Sequence, residues 1–447
     1  MIPQNANPRV ERLAGVLQHL DRSVRRAGMS LDAGIVSKAS GTSINVNCSG
    51  LRVGEICRIF PENNSTFFEA EVVSVAQTTA TLFPLVHPER LSAGSRVEAT
   101  GRSFLVPVGP YLLGSVIDGF GVPIGSRLPD SYETRGLKGS PISPLDRPLI
   151  EKPMSTGVKA IDLFSTLGFG QRICLMGAAG TGKSTLMAAI ARHCQADVVV
   201  IGLIGERGRE VKEFIDRHLP HEHRNRIVVV AATSDRTATE RFYAAHTAST
   251  VAEYFRDQGK SVLIILDSLT RVARALREIG LSLGEPPTRR GYPASVYPQL
   301  PKLIERSGRA PRGDITAIYT VLMEGEQEDD PVAEEVKSLT DGHIALSRDL
   351  AQRGQYPAID PLKSLSRVMT DIMDEEHCAP ARRARQLLAK YKEIEILVQV
   401  GEYKSGSDPI ADEAMKKVTK IEEALKQDVR EGVDLPTAFA NLAEALA

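Results

Sequence analysis

Near the middle of the chain an apolar run, Ile173-Cys-Leu-Met176, passes into Gly177-Ala178-Ala179-Gly180-Thr181-Gly182-Lys183-Ser184, and a helical stretch follows over 184–194. This is the pattern G-x-x-x-x-G-K-[ST] set between a strand and a helix, the arrangement of a phosphate-binding loop. Its glycines let the backbone wrap around phosphates. Amide N–H groups and the helix N-terminus supply positive potential. Lys183 is placed to contact the β- and γ-phosphates, the Ser184 hydroxyl to ligate Mg²⁺, and Thr185 to extend the cradle. The loop is not core, so loss of Lys183 is expected to remove chemistry and leave the fold standing.

A loop of this kind belongs to a parallel sheet, and the chain supplies the strands. The runs 172–176, 198–204, 227–232, 262–266 and 315–322 are β-branched and apolar with little alternation, as in strands covered on both faces. In such sheets ligands sit at the carboxyl ends of the strands. Asp267 ends the run 262–266 and is the candidate organiser of Mg²⁺. Glu206 follows the run 198–204 within Gly205-Glu206-Arg207-Gly208-Arg209-Glu210. A carboxylate there can polarise an attacking water. The same charges could equally form a surface ion-pair network.

Outside this core the pattern changes. Residues 31–100 carry short alternating segments, such as Ser43-Ile-Asn-Val-Asn47 and Thr79-Ala-Thr-Leu82, separated by turns, which suggests a small barrel. Ahead of it, Val10, Leu13, Leu17 and Leu20 mark one face of a short helix amid Arg12, Arg22, Arg25 and Arg26, suited to a partner or a membrane surface. Past residue 369, Leu387, Tyr391, Ile394 and Val398 share a helical face. Gly401 and Ser405-Gly-Ser-Asp-Pro409 interrupt it, and one final helix is expected from about Ile410. The predicted domains are therefore 1–30, a helical segment; 31–100, the barrel; 101–368, the nucleotide-binding core; and 369–447, a helical domain.

Composition narrows the function classes. Lys and Arg total 55 against 56 Asp and Glu, so the chain lacks the excess positive charge of a protein that coats nucleic acid. The apolar runs fall far short of the roughly 20 residues of a membrane span. No apolar signal core occurs at the N-terminus, so a cytoplasmic location is expected. Cys48, Cys57, Cys174, Cys194 and Cys378 are odd in number and form no C-x-x-C pair, which favours reduced thiols. His218, His221 and His223 crowd one loop without supporting ligands and are expected to be solvent-exposed.

Several further motifs carry a resemblance. They are Leu113-Gly-Ser-Val-Ile-Asp-Gly-Phe-Gly-Val-Pro-Ile124, Gly202-Leu-Ile-Gly-Glu-Arg-Gly-Arg-Glu-Val211 and Asp267-Ser-Leu-Thr-Arg271. To these are added Asp341-Gly-His-Ile-Ala-Leu-Ser-Arg348 and Tyr356-Pro-Ala-Ile-Asp-Pro-Leu-Lys-Ser-Leu-Ser-Arg367. Together they resemble the rotary-type hexameric ATPases, the group of the ATP synthase α and β subunits, and within it the export ATPases of type III secretion systems. Gly208, where the ATP synthase β subunit has Thr, is the export form.

The resemblance implies a RecA-like P-loop ATPase core of α/β class, with an N-terminal small β-barrel and a C-terminal helical domain. It implies ATP hydrolysis with Mg²⁺ in a homo-hexamer. Glu206 would orient water, with Arg207 beside the γ-phosphate. Asp267 would organise Mg²⁺, Tyr356 would stack on adenine, and Arg367 would reach into a neighbour's site as an arginine finger. The implied partners are stator and stalk proteins, export chaperone–effector complexes and the inner-membrane face of a secretion apparatus, with no nucleic acid. Motifs such as Thr233-Ser-Asp-Arg236 favour the injectisome branch over the flagellar one. A nucleic-acid translocase and an ATP synthase catalytic subunit are the more distant alternatives.

Overall fold

Two units make up the chain, residues 1–104 and 105–447, and the computed structural model describes residues 32–61, 66–139, 142–178, 180–323 and 330–447. The helix expected over 10–20 and the loop residue Ala179 lie outside the described residues.

In the first unit, alternation does what period-two patterning requires. Six strands, β1 (Asp32–Ala39), β2 (Ile44–Cys48), β3 (Glu55–Phe60), β4 (Phe68–Val75), β5 (Thr79–Pro84) and β6 (Arg96–Ser103), close into a barrel in the order β1-β2-β5-β4-β3-β6. Val36, Ile44, Val46, Ile59, Val72, Leu82 and Val97 point inward and fill it. Register shifts at Val36/Lys38 and Val72/Ser74 supply the local bends that closure needs.

The second unit is built on a largely parallel sheet. Its strands are β7 (Val116–Ile117), β8 (Arg172–Gly177), β9 (Val198–Glu206), β10 (Ile227–Thr233), β11 (Ser261–Asp267), β12 (Asp314–Leu322), β13 (Gly342–Ala345) and β14 (Leu365–Ser366). They lie in the order β14-β13-β8-β12-β11-β9-β10-β7. Only β14 in this order runs antiparallel to its neighbour. The strands β9 to β12 are buried almost throughout, as their unalternating apolar sequence anticipates.

Three helices matter most to the site: α1 (Lys183–His193), α2 (Ala238–Asp257) and α3 (Leu269–Ser282). Within α2, Glu253 meets Arg306 through two hydrogen bonds of 2.8 and 2.7 Å, both side chains buried. Arg306 also donates to the Leu137 carbonyl at 2.8 Å, tying that loop to the helix.

After β14 the chain forms α4 (Glu375–Gln399), α5 (Pro409–Leu425) and α6 (Leu435–Leu446). Each opens on an aspartate that accepts backbone N–H groups: Asp374, Asp408 and Asp434. The sequence reading of one final helix is corrected to two. The break between them is signalled by Gly432, Asp434 and Pro436, a stop followed by a cap and a first-turn proline. Ala384, Leu387, Ile421, Phe439 and Leu442 join the same apolar core as Phe164, Leu186 and Ile190, so these helices pack on the sheet unit itself. No helix among the described residues is long and apolar enough to cross a membrane.

Candidate active site

The carboxyl ends of β8, β9, β11 and β12 converge on one edge of the sheet, and the polar groups expected there are found there. Gly177 ends β8. Gly182 takes φ +83°, a left-handed turn, immediately before α1 begins. The loop is closed by the Thr181 hydroxyl donating to the Ala178 carbonyl at 2.8 Å.

Lys183 reaches across to Asp267 at the end of β11, and the two are ion-paired. Asp267 is 2% exposed and also accepts from the Thr320 hydroxyl of β12 at 2.6 Å. A buried carboxylate is tolerable only when paired and hydrogen-bonded in this way. Ser184, Glu206, Glu210 and Asp267 line a cavity of about 180 Å³ together with Phe214 and His218.

Glu206 ends β9 just past a register shift against β10, where it pairs with Thr233. Arg271, one turn into α3, donates to Glu206 Oε2 at 3.0 Å and to the Gly205 carbonyl at 2.6 Å. Gly205 is required: a Cβ there would lie 2.9 Å from Arg271 Cδ, at φ +68°. Burial, and then the negative charge of Asp267, push the Glu206 carboxyl up to about 7, opposed by Arg271 and Lys183. Glu210 is held below the ordinary range, first by its hydrogen bond with Glu206. The hydrogen bond between the two carboxyl groups thus favours the proton on Glu206 over Glu210.

Arg207 points away. Its side chain is 75% exposed and donates to Glu210 Oε1 at 2.9 Å. Of the two readings of this charge cluster, Glu206 belongs to the cavity and Arg207 to a surface ion pair.

A larger cavity, about 450 Å³, also borders the loop. Gly180, Thr181, Gly182 and Thr185 form one wall, and Leu186, Ala189, Leu346 and Tyr356 line it further along. Tyr356 is 44% exposed, and its ring lies 3.5 Å from where a Cβ on Gly182 would stand. Gln427, Asp428, Val429 and Glu431, between α5 and α6, complete the lining.

Arg367 is not among these groups. It follows β14, and its N–H donates to the carbonyl of Asp341, which precedes β13. Asp341 in turn bonds Arg172, the first residue of β8. Five residues at about 3.3 Å each put Arg367 roughly 17 Å from the loop end of that strand. Its side chain is exposed and makes no ion pair with a described residue.

The histidine expectation is corrected in part. His218 and His223 are half-buried, against Phe214 and His193 respectively, because the loop folds back onto α1. The side chain of His221 is outside the described residues. Among the described residues no group of three or more His, Cys, Asp or Glu could hold a metal. All five cysteines are free. Sequence reasoning did not assign Arg271, Thr320 or Gln427. Arg271 stands four residues beyond Asp267, one helical turn, and that spacing is a usable signal. Gln427 has none.

Comparison with known proteins decides the family. The nucleotide-binding domain of the ATP synthase alpha/beta family matches residues 157–366, and the C-terminal domain of the type III secretion ATPase EscN matches residues 373–444. The type 3 secretion system ATPase of Xanthomonas euvesicatoria is 48% identical over 428 residues, 96% of each chain. The chain belongs to the type 3 secretion system ATPases. It is an ATP-hydrolysing enzyme of that family. The flagellum-specific ATP synthase of Bacillus subtilis is also similar, 44% identical over 92% of this chain and 94% of its own. The fold of the ATPase matches assembled EscN of enteropathogenic E. coli with a TM-score of 0.88, at 42% identity, over 93% of this chain and all of that one. EscN has also been solved in complex with its central stalk EscO, matching with a TM-score of 0.85 at 42% identity over 93% of this chain and all of that one.

Proposed function

We propose that this ATPase hydrolyses ATP at sites shared between neighbouring chains of a homo-hexameric ring, and so drives protein export through an injectisome-type secretion system. One observation supports the shared site above all. Every group needed to bind and polarise a nucleotide meets at one sheet edge, while Arg367 stands at the other. Within one chain that arginine is out of reach, and in a ring it can serve a neighbour.

In this reading the loop amides and Lys183 hold the β- and γ-phosphates, and Tyr356 stacks on the adenine. The oxygen donors Ser184 and Asp267 suit a hard cation, which fits Mg²⁺ held by few protein ligands and the substrate's phosphates. When bound, Mg²⁺ neutralises charge between the phosphates. Glu206, once ionised, orients the water, and Arg271 fixes its carboxylate. Arg207, paired with Glu210, keeps the role of a γ-phosphate neighbour only if that pair opens on binding. The neighbour's Arg367 stabilises the charge developing on the γ-phosphoryl, a contribution of about 10³–10⁵ in rate.

The EscN–EscO complex supports a stalk protein as partner. The stator, chaperone–effector complexes and peripheral attachment to the inner-membrane apparatus complete the proposal. The test is Glu206→Gln: nucleotide binding should persist with turnover largely lost. If binding and turnover fall together, Glu206 is structural. Flagellar export is the second reading, favoured by the similar identity of the flagellar relative. Turnover stimulated by chaperone–effector complexes and not by flagellar export substrates separates the two.

A further inference from the structure

The larger cavity is lined by several distant parts of the chain, and Gln427 ties two of them to its own: the segment 157–159 through its side-chain amide and Tyr356 through its main chain. The Gln427 Oε1 accepts from the Lys159 N–H at 2.8 Å. Its Nε2 donates to the Gly157 carbonyl and to the Glu431 carbonyl, each at 2.7 Å. Its own N–H donates to the Tyr356 carbonyl at 3.1 Å. Both N–H donors of the amide are used, and its oxygen accepts one bond. The orientation is fixed by chemistry, since a flipped amide would set its oxygen against two carbonyls.

The partners have a pattern. Val158 lies between Gly157 and Lys159, and Val429 lies between Gln427 and Glu431. Val158, Tyr356 and Val429 are among the residues that line the cavity from these three segments. Each is thus either bonded by Gln427 or flanked by two residues of its network. The Val433 N–H adds a 3.1 Å bond to the same Gly157 carbonyl. Arg192 of α1 holds the Val429 carbonyl. The loop between α5 and α6 is therefore fastened to the part of the cavity wall formed by Val158 and Tyr356, with Gln427 at the centre.

We propose that Gln427 is a positioning residue for the nucleobase: it sets the spacing between Tyr356, Val158 and Val429 into which the base slides, without itself taking part in phosphate chemistry. This rests on reading the cavity as the nucleotide's. Gln427→Met keeps length and removes the three side-chain bonds, leaving the main-chain bond to Tyr356 in place. Gln427→Asn keeps the amide but is one methylene too short, and serves if the first variant does not assemble.

The assay compares ATP with ribose 5-triphosphate, which has no base. For ATP, KM should rise about tenfold, equivalent to about 1.4 kcal/mol, with the loss in KM rather than kcat. For the baseless triphosphate, kcat/KM should be unchanged. In a Tyr356→Ala background the Gln427 substitution should cost little further, because both act on the same base contact. An equal loss for both substrates, a loss confined to kcat, or full additivity with Tyr356→Ala overturns the proposal. Lys183→Ala separates the two levels of failure: if it retains turnover, the cavity is not the nucleotide's. If it is inactive while Gln427→Met affects both substrates alike, only the positioning role falls.

Discussion

With Glu206 as the proposed water-orienting group, activity should depend on pH in a direction that can be worked out. Burial and the neighbouring Asp267 carry its carboxyl from an ordinary value near 4.5 to about 7. At about 1.4 kcal/mol for each pH unit, that amounts to about 3 kcal/mol against the ionised form, and about 2 kcal/mol once the solvent still reaching the group is allowed for. Two consequences follow from the sign. Between pH 4.5 and 7 the folded chain holds a proton that the unfolded chain has released. The contribution to stability is full below about 4.5 and is lost as the pH rises to about 7. Activity runs the other way, because only the carboxylate can orient water. The profile of kcat/KM, which reports the free enzyme, should climb with unit slope and level off near pH 7. In Glu206→Gln the residual activity should lack this acid limb, and the melting temperature at pH 8 should exceed that of the wild type. Arg271→Met removes a charge that favours the carboxylate, so its acid limb should move to higher pH. An acid limb near pH 4.5 in the wild type, or one that survives in Glu206→Gln, refutes the reasoning.

Lys183→Ala should abolish turnover, but the structure adds a cost that the sequence did not reveal. It leaves Asp267 buried and unpaired, which costs about 3 kcal/mol. Thermal melts should show that loss, and Lys183→Ala with Asp267→Asn should regain most of the stability and none of the turnover. Arg306→Met strands Glu253 inside the sheet unit and should cost about 3–5 kcal/mol in denaturant unfolding, more than Glu253→Gln with Arg306→Met together.

How much was legible in the sequence follows from how local each signal is. The five core strands, the barrel and the loop before α1 are written in periodicity and in glycine placement, which neighbouring residues decide. Each of those predicted core strands is present, extended by one or two residues. The partnership of Lys183 with Asp267 was legible only as two separate motifs. Their contact depends on β12 lying between β8 and β11 and presenting Thr320. The same holds for Arg271, whose value comes from the end of β9 bringing Glu206 within its reach. Gln427 was invisible because its partners other than Glu431 are some 70 and 270 residues away along the chain. The burial of His218 and His223 was misjudged because a polar loop gives no sign that it folds back onto a helix.

The central claim is that a site belongs to two chains, and mixing tests it most directly. Lys183→Ala lacks the phosphate contact and Arg367→Ala lacks the finger, so each alone should be nearly inactive while still assembling. Co-assembled, as differently tagged chains on a sizing column can verify, some interfaces join an intact loop to an intact Arg367. Turnover of the mixed rings should then rise well above that of either variant alone. Wild-type turnover by Arg367→Ala alone, at a dilution where the chain is a monomer, would contradict the account.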